Sequence, residues 1–332
     1  MAAGHLGSIR RGHYHADFDE PHLDQLVNES VSALAPFTAL ILTITIVMLF
    51  LIKLYVIERI LMRTKRYRRH FDHLGPIQQC TFINHHVAAG CKIVLLFSAA
   101  YPFLAVAFGH STLQSPIIPH HRPTNGDVLI VCAQIFTAMY IFELFFRRTI
   151  SVISAAHHIG AIVITQSAVA ISLNFQHEKD ATFEFVLCFV WGAFDIVAEL
   201  WPHIAMILYR LHPGRHSLMY RLFLATTIVE LAGTVFETII VFWLWGTLWD
   251  QWTLPFKIVT PILHALFSAA QLLGAWVFWR MATKEKSSIN AIEVESGAPK
   301  IEETVSDDPS RALEGERGAD GAIMFPGNRA SS

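Results

Sequence analysis

Two adjacent histidines, His157 and His158, sit inside the apolar stretch FELFFRRTISVISAAHHIGAIVIT (Phe142 to Thr165), and Asp195, Glu199 and His203 follow in the next apolar stretch. A neutral imidazole can take a proton or carry an acyl group, and a nearby carboxylate can fix its tautomer and stabilise the imidazolium. The residue types are those of an acid–base or nucleophilic centre. Their setting sharpens the point: an ionisable side chain in hydrocarbon costs roughly 2.5–3.5 kcal/mol on insertion scales, so it normally faces a bundle interior, a partner or a water-filled path. Asp195, Glu199 and His203 are spaced i, i+4, i+8, one slowly drifting stripe of a helix, and can face a common cavity. Glu230 and His264 add ionisable groups in two further apolar runs. Taken singly, His203 or Glu230 reads as a polar tie between membrane helices. Taken as a set, they read as a functional cavity. The pairs His85-His86 and His120-His121 are weaker candidates.

The elements that must position these groups are membrane helices. With 53% hydrophobic, 12% aromatic and 16% charged residues the chain is too apolar for an ordinary soluble domain, and its net charge of -2 offers no basic field for nucleic acid. The four cysteines lie in or at the edge of apolar runs without metal-ligand spacing, and read as packing residues. Residues 1–32 form a polar arm with the sequon Asn28-Glu29-Ser30; its histidines have no partner cysteines and read as solvated rather than metal-binding. Residues 33–62 hold the first span, too late and too long for a cleaved signal peptide. Six more runs follow within 63–284, at about His86 to Phe108, Asp127 to Phe146, Ile150 to Leu173, Thr182 to Leu211, Leu218 to Trp245 and Pro255 to Met281, each near the length that about 30 Å of hydrocarbon demands. No alternating pattern suggests a barrel, so the expected fold is an all-α bundle of seven transmembrane helices, with Pro102, Pro202 and Pro261 kinking three of them. Residues 285–332, rich in Glu, Ser, Gly and Pro, are expected to be a disordered tail.

Arg63, Lys65, Arg66, Arg68, Arg69, Arg147, Arg148, Arg210, Arg215, Arg221, Arg280, Lys284 and Lys286 all flank the spans on one side, which places the amino terminus in the lumen and the carboxyl terminus in the cytosol. Asn28 then becomes a candidate glycan acceptor. At about 1.5 Å per residue from the cytosolic face, His157 and His158 lie about 13 to 15 Å deep, Glu199 at a similar depth, Asp195 at roughly 21 Å, Glu230 at about 16 Å and His264 at about 24 Å. Four helices should therefore contribute to one polar layer.

Three patches in this order, AAHHIGAIVIT (Ala155 to Thr165), DIVAE (Asp195 to Glu199) and QLLGAWVFWRMATK (Gln271 to Lys284), resemble the TLC domain of the ceramide synthases and related lipid proteins, over about Arg63 to Lys284. The resemblance implies a helical bundle around a lipid-sized cavity, in the endoplasmic reticulum membrane. In the ceramide synthases it implies transfer of a fatty acyl group from acyl-CoA to the amine of a sphingoid base. On this chain the catalytic positions would be His157, His158 and Asp195, supported by Glu199, His203, Glu230 and His264. Arg147, Arg148, Arg210 and Arg215 sit where CoA phosphates could be met, although each also serves as a topology determinant. The chain departs from the ceramide synthases where they carry His-Asp-x-x-Asp: here the stretch reads WGAFD, Trp191 to Asp195. The sixth span also carries Glu230 and Glu237 where a basic residue is expected.

The resulting expectation is a lipid N-acyltransferase with no resident cofactor or metal and with acyl-CoA as co-substrate. Its partners would be membrane lipids, a long-chain amine or sphingoid base, and a second copy of the chain. The alternative is a non-catalytic protein that binds, moves or senses lipid. A seven-helix receptor fares worse, because the third span ends Glu143-Leu144-Phe145-Phe146-Arg147 and Lys257 lies at the mouth of the last span. A membrane di-iron oxygenase has, among 18 histidines, only the incomplete boxes His70/His73 and His212/His216.

Overall fold

A computed structural model describes residues 30–119, 121–173 and 181–297, and among these no strand occurs. Asn28, His120, the loop residues from Gln176 to Asp180 and the chain beyond Gly297 lie outside the described residues.

The helices are α1 (Ala35–Leu61), α2 (Lys65–Phe71), α3 (Pro76–Ala107), α4 (Asn125–Phe146), α5 (Val152–Ser172), α6 (Ala181–Leu211), α7 (His216–Thr247) and α8 (Leu254–Gly297). Six of them, α1, α3, α4, α5, α7 and α8, are long and apolar enough to cross a membrane. The remaining expected span, α6, is a helix of 31 residues packed against α3, α5 and α7. It carries the acidic pair of the site, Asp195 and Glu199.

Start signals written in the chain account for the boundaries. Pro76 opens α3, where its missing N–H costs nothing, and the Gln78 side chain reaches back 3.1 Å to the Gly75 N–H. Helix α3 thus begins at Pro76 rather than His86, and His85 and His86 lie inside it rather than at its mouth. Thr124 and Asp127 form a reciprocal cap on α4. Asp127 also accepts a 2.6 Å hydrogen bond from Ser32, which ties the end of the amino-terminal arm to α4. Gly126 is required there: a Cβ on it would lie 1.7 Å from the Val31 carbonyl oxygen. Helix α1 ends as a π-helix, Ile52–Leu61, whose five-residue register lines Lys53 up with Glu58 at 2.9 Å. Pro102, Pro202 and Pro261 sit inside α3, α6 and α8 without ending them.

Helix α8 runs into the stretch whose composition suggested a tail. Helix α8 continues past Lys284 to Gly297, and Glu285, the first residue assigned to a disordered tail, is buried and ion-paired to His216 at 2.7 Å. Composition missed this because one neighbour is enough to fix the first turn beyond the apolar run.

Helix α4 packs on α1, α3 and α5, and α6 packs between α3 and α7, while α7 and α8 form a long pair. Two elements of this arrangement matter for the site. Helices α3 to α6 enclose one polar group, and α6 to α8 enclose another. The outward faces of α1, α7 and α8 carry exposed apolar residues such as Leu40, Ile44, Val235, Phe236, Ile262 and Leu266, the surface a bilayer would cover.

Candidate functional site

Helix α5 starts at Ser151, whose Oγ accepts the Ser154 N–H, and this sets the register that turns His157 inward toward α6. His157 Nε2 lies 3.2 Å from Asp195 Oδ1 and 3.2 Å from Glu199 Oε1. The i, i+4 spacing of the two acids presents both to the same imidazole. Tyr140 of α4 donates its hydroxyl to Asp195 and lies 3.3 Å from Glu199 Oε2. Lys92 of α3 places its ammonium 2.9 Å from Glu199 Oε2 and 3.7 Å from Asp195 Oδ2, with a side chain that is 0% exposed. One ammonium, two carboxylates, a phenol and an imidazole thus form a closed network in which every carboxylate oxygen is faced by a donor.

With Nε2–H donating to Asp195, the proton of a neutral His157 is spoken for, and Nδ1 keeps its lone pair. That Nδ1 is buried and has no hydrogen-bond partner. A carboxylate behind one imidazole nitrogen and a bare lone pair on the other is the arrangement of a general base or acyl acceptor.

His158, the other half of the pair, turns away. Its Nε2 meets Ser154 Oγ at 3.2 Å and Glu143 Oε2 at 3.6 Å, and its ring packs 4.5 Å from that of Tyr140. His203, the third residue of the expected α6 stripe, belongs with it: His203 Nε2 is 3.8 Å from Glu143 Oε1, and His203 Nδ1 is 2.9 Å from His85 Nδ1. The stripe therefore splits, with Asp195 and Glu199 serving His157 and His203 serving a Glu143 group one turn away. Arg147 closes that group, 3.8 Å from Glu143, so it acts first as an internal counter-ion. Arg148 and Arg215 are exposed and Arg210 is half-buried.

Glu230 and His264 are not in this layer. Among the described residues no hydrogen bond or ion pair joins either to His157 or His158. They belong to a second polar group between α6, α7 and α8. There Trp191 Nε1 donates to His264 Nδ1 at 3.3 Å, and His264 Nε2 meets Thr238 Oγ1 at 3.0 Å. Gln271 Nε2 donates to Glu237 Oε2 at 2.8 Å, and Gln271 Oε1 accepts from Thr234 Oγ1 at 2.9 Å. One carboxylate oxygen of the buried Glu230 has no partner. Depth arithmetic assigned Glu230 and His264 to one layer with His157; height along a helix says nothing about which way a side chain faces.

Two pockets lie beside these groups. A hydrophobic one of about 220 Å³ is lined by α3, α4, α5 and α6, with Leu95, Phe103, Phe136, Val169, Phe185 and Ile196 among its walls. A smaller one of about 30 Å³ has Asp195, Glu237, Gln271 and Trp191 in its walls. Phe136, Thr165, Cys188 and Gly192 line both, so the two share walls.

Sequence reasoning missed Lys92, Tyr140 and Glu143. Lys92 was within reach of the rule that singled out the histidines, since a lone lysine in GCKIVLLF is as costly in hydrocarbon as a histidine. Tyr140 gave no signal, because an aromatic residue in an apolar run is ordinary.

The His157, Asp195 and Glu199 ligand atoms lie within 4.8 Å of one another, a spacing that could hold a metal ion. Two features argue against it. Lys92 already brings a cation to the same carboxylates, and a metal-bound imidazole usually passes its other N–H to an acceptor, which His157 Nδ1 lacks. One of the two incomplete histidine boxes is otherwise engaged: His212 lies 3.2 Å from Arg66, and His216 is paired with Glu285. Compared with family models, curated proteins and solved structures, the chain finds no match among any of them. The residues and their geometry alone carry the functional reading.

Proposed function

We propose that this chain is a seven-span membrane protein of the TLC type, with its amino terminus luminal and its carboxyl terminus cytosolic, that transfers an acyl group to a lipid amine. The observation that carries the reading is the bare Nδ1 of His157, backed through Nε2 by Asp195, which itself walls the smaller of two pockets that share apolar walls. In the step proposed, the ammonium of a long-chain amine loses a proton to His157. The amine nitrogen then attacks the thioester carbonyl of an acyl-CoA, the new C–N bond forms as the C–S bond breaks, and the leaving thiolate takes up the proton that the acylated nitrogen sheds, while His157 returns its own proton to solvent. Asp195 and Glu199 stabilise the imidazolium formed on the way, and Lys92 and Tyr140 hold those carboxylates in place. Arg148 and Arg215 would meet the CoA phosphates from the cytosolic side, and the endoplasmic reticulum is the membrane that the TLC resemblance implies.

The test is product analysis by mass spectrometry on purified protein given a panel of acyl-CoAs and long-chain amines. His157→Ala is expected to lower amide formation by about 10²- to 10⁴-fold, the usual worth of a general base. No amide and no acyl adduct from the wild type with any pair would remove the reading. A second reading, a protein that holds lipid without turning it over, is favoured by the complete burial of Lys92 in the network, which leaves the carboxylates little freedom to exchange partners. It predicts lipid carried through purification by wild type and His157→Ala alike.

A further inference from the structure

The smaller pocket has a chemistry that the His157 centre does not use. It is walled on one side by Asp195 and on another by Glu237 and Gln271, and it shares Phe136, Thr165, Cys188 and Gly192 with the larger hydrophobic pocket. A space that is apolar along most of its length and lined by carboxylates at one end is shaped for an amphiphile with a single chain and a cationic head.

Charge points the same way. Lys92 is the only lysine among the ion pairs of the described residues that meets Asp195 or Glu199, and it serves both. Glu237 has no such partner: its nearest donor is the neutral amide of Gln271, and His264 Nδ1, 3.8 Å away, already accepts the Trp191 N–H. Glu237 is 1% exposed, and a buried carboxylate with neutral donors only is costly unless a cation or a proton joins it. Glu237 is also a place where this chain departs from the ceramide synthases, which lead one to expect a basic residue in that span.

Size sets the head group. About 30 Å³ beside two carboxylates suits a small primary ammonium better than a bulkier choline, and the carboxylates repel a phosphate. An ammonium brings three N–H donors for the carboxylates on its walls.

We propose that the pocket between Asp195 and Glu237 is the receiving site for the ammonium of a single-chain lipid amine, with the hydrocarbon chain in the adjoining hydrophobic pocket. Glu237 is then the residue that selects amine over alcohol, and Asp195 couples the bound head group to His157. This assignment rests on the reading of the protein as acting on a lipid amine, but it concerns binding and stands or falls without turnover.

The experiment is native mass spectrometry of the full chain with hexadecylamine and, separately, hexadecanol, with no acyl-CoA present. Wild type is expected to retain the amine in preference to the alcohol. Glu237→Gln keeps the shape and removes the charge; it is expected to weaken amine binding at least about ten-fold, the order of a charged hydrogen bond, and to leave the alcohol unchanged. Gly192→Phe keeps every carboxylate and fills the wall common to both pockets, where a Cβ meets nothing within 4 Å, and should lower both ligands together. Equal retention of amine and alcohol by wild type would overturn the proposal. So would wild-type amine binding in Glu237→Gln, or undiminished binding of both ligands in Gly192→Phe. Amine binding that persists where no amide is ever formed would reject acyl transfer and keep this site.

Discussion

The polar group on α3 to α6 and the one on α6 to α8 each bury carboxylates beside an imidazole, yet they differ in the cation. The first brings Lys92 to its two carboxylates and adds the Tyr140 hydroxyl and the His157 imidazole. The second offers Glu237 the Gln271 amide and an indole-bound imidazole, and leaves one carboxylate oxygen of Glu230 without a partner. In hydrocarbon surroundings that difference separates a group that stabilises the bundle by itself from one completed by something the chain does not supply. A carboxylate with an internal counter-ion is part of the scaffold. A buried carboxylate without one is an opening for a ligand.

The sharpest way to break this comparison is Lys92→Met. It leaves Asp195 and Glu199 buried without their ammonium, and loss of one partner from a buried ion pair costs about 3–5 kcal/mol. The expected result is a large fall in the thermal unfolding midpoint in detergent, partly recovered when Glu199→Gln is added, because the double variant removes the uncompensated charge. Glu237→Gln, which deletes a charge of the same kind from the other group, should leave the midpoint unchanged or raise it. Equal destabilisation by the two single variants would erase the distinction between them.

A smaller effect is expected at Tyr140, which is fully buried and donates to Asp195. Tyr140→Phe removes a hydrogen bond to a charged acceptor, worth about 1.5–3 kcal/mol, and leaves Lys92 and His157 in place. The unfolding free energy should fall by less than in Lys92→Met. A larger loss would show that the phenol, rather than the ammonium, holds the network.

How much of this was legible in the sequence follows from what each feature depends on. Apolar runs and basic flanks dictate where helices start and stop, so five of the seven expected spans match a helix to within a turn at both ends. The exceptions, His86 against Pro76 for α3 and Met281 against Gly297 for α8, lie where polar side chains find partners on a neighbour: Gln79 on the Phe71 carbonyl, Glu285 on His216. The link of His157 to Asp195 and Glu199 was readable because i, i+4 spacing survives folding. The separation of Glu230 and His264 from it was not, since that depends on the rotation of α7 and α8 about their own axes. Only packing fixes such a rotation, and α7 and α8 are apolar on most faces. Lys92 was legible and overlooked; Glu143 was visible only as the end of a span.

The smallest effect lies outside the membrane, on the short helix α2, and concerns a region where basic residues outnumber the carboxylate of Asp72, which lies 3.3 Å from Arg68. Partial burial, and then the positive charges of Arg69, His212, His73 and Arg66, lower the pKa of His70 from its ordinary 6.5. The folded protein therefore binds a proton at His70 less readily than the unfolded chain does, and stability must fall as pH drops from 6.5 through the lowered value. Above 6.5 the group is neutral in both states and contributes nothing. Because His70 is only partly buried, screening keeps the loss modest. Comparing unfolding midpoints at about pH 8 and about pH 5, His70→Gln should show a slightly smaller decline than wild type, while Lys92→Met should show no such sparing. If His70→Gln declines as steeply as wild type, the arginines around α2 exert no field at His70, and the basic surface they form is too well hydrated to discriminate among anions.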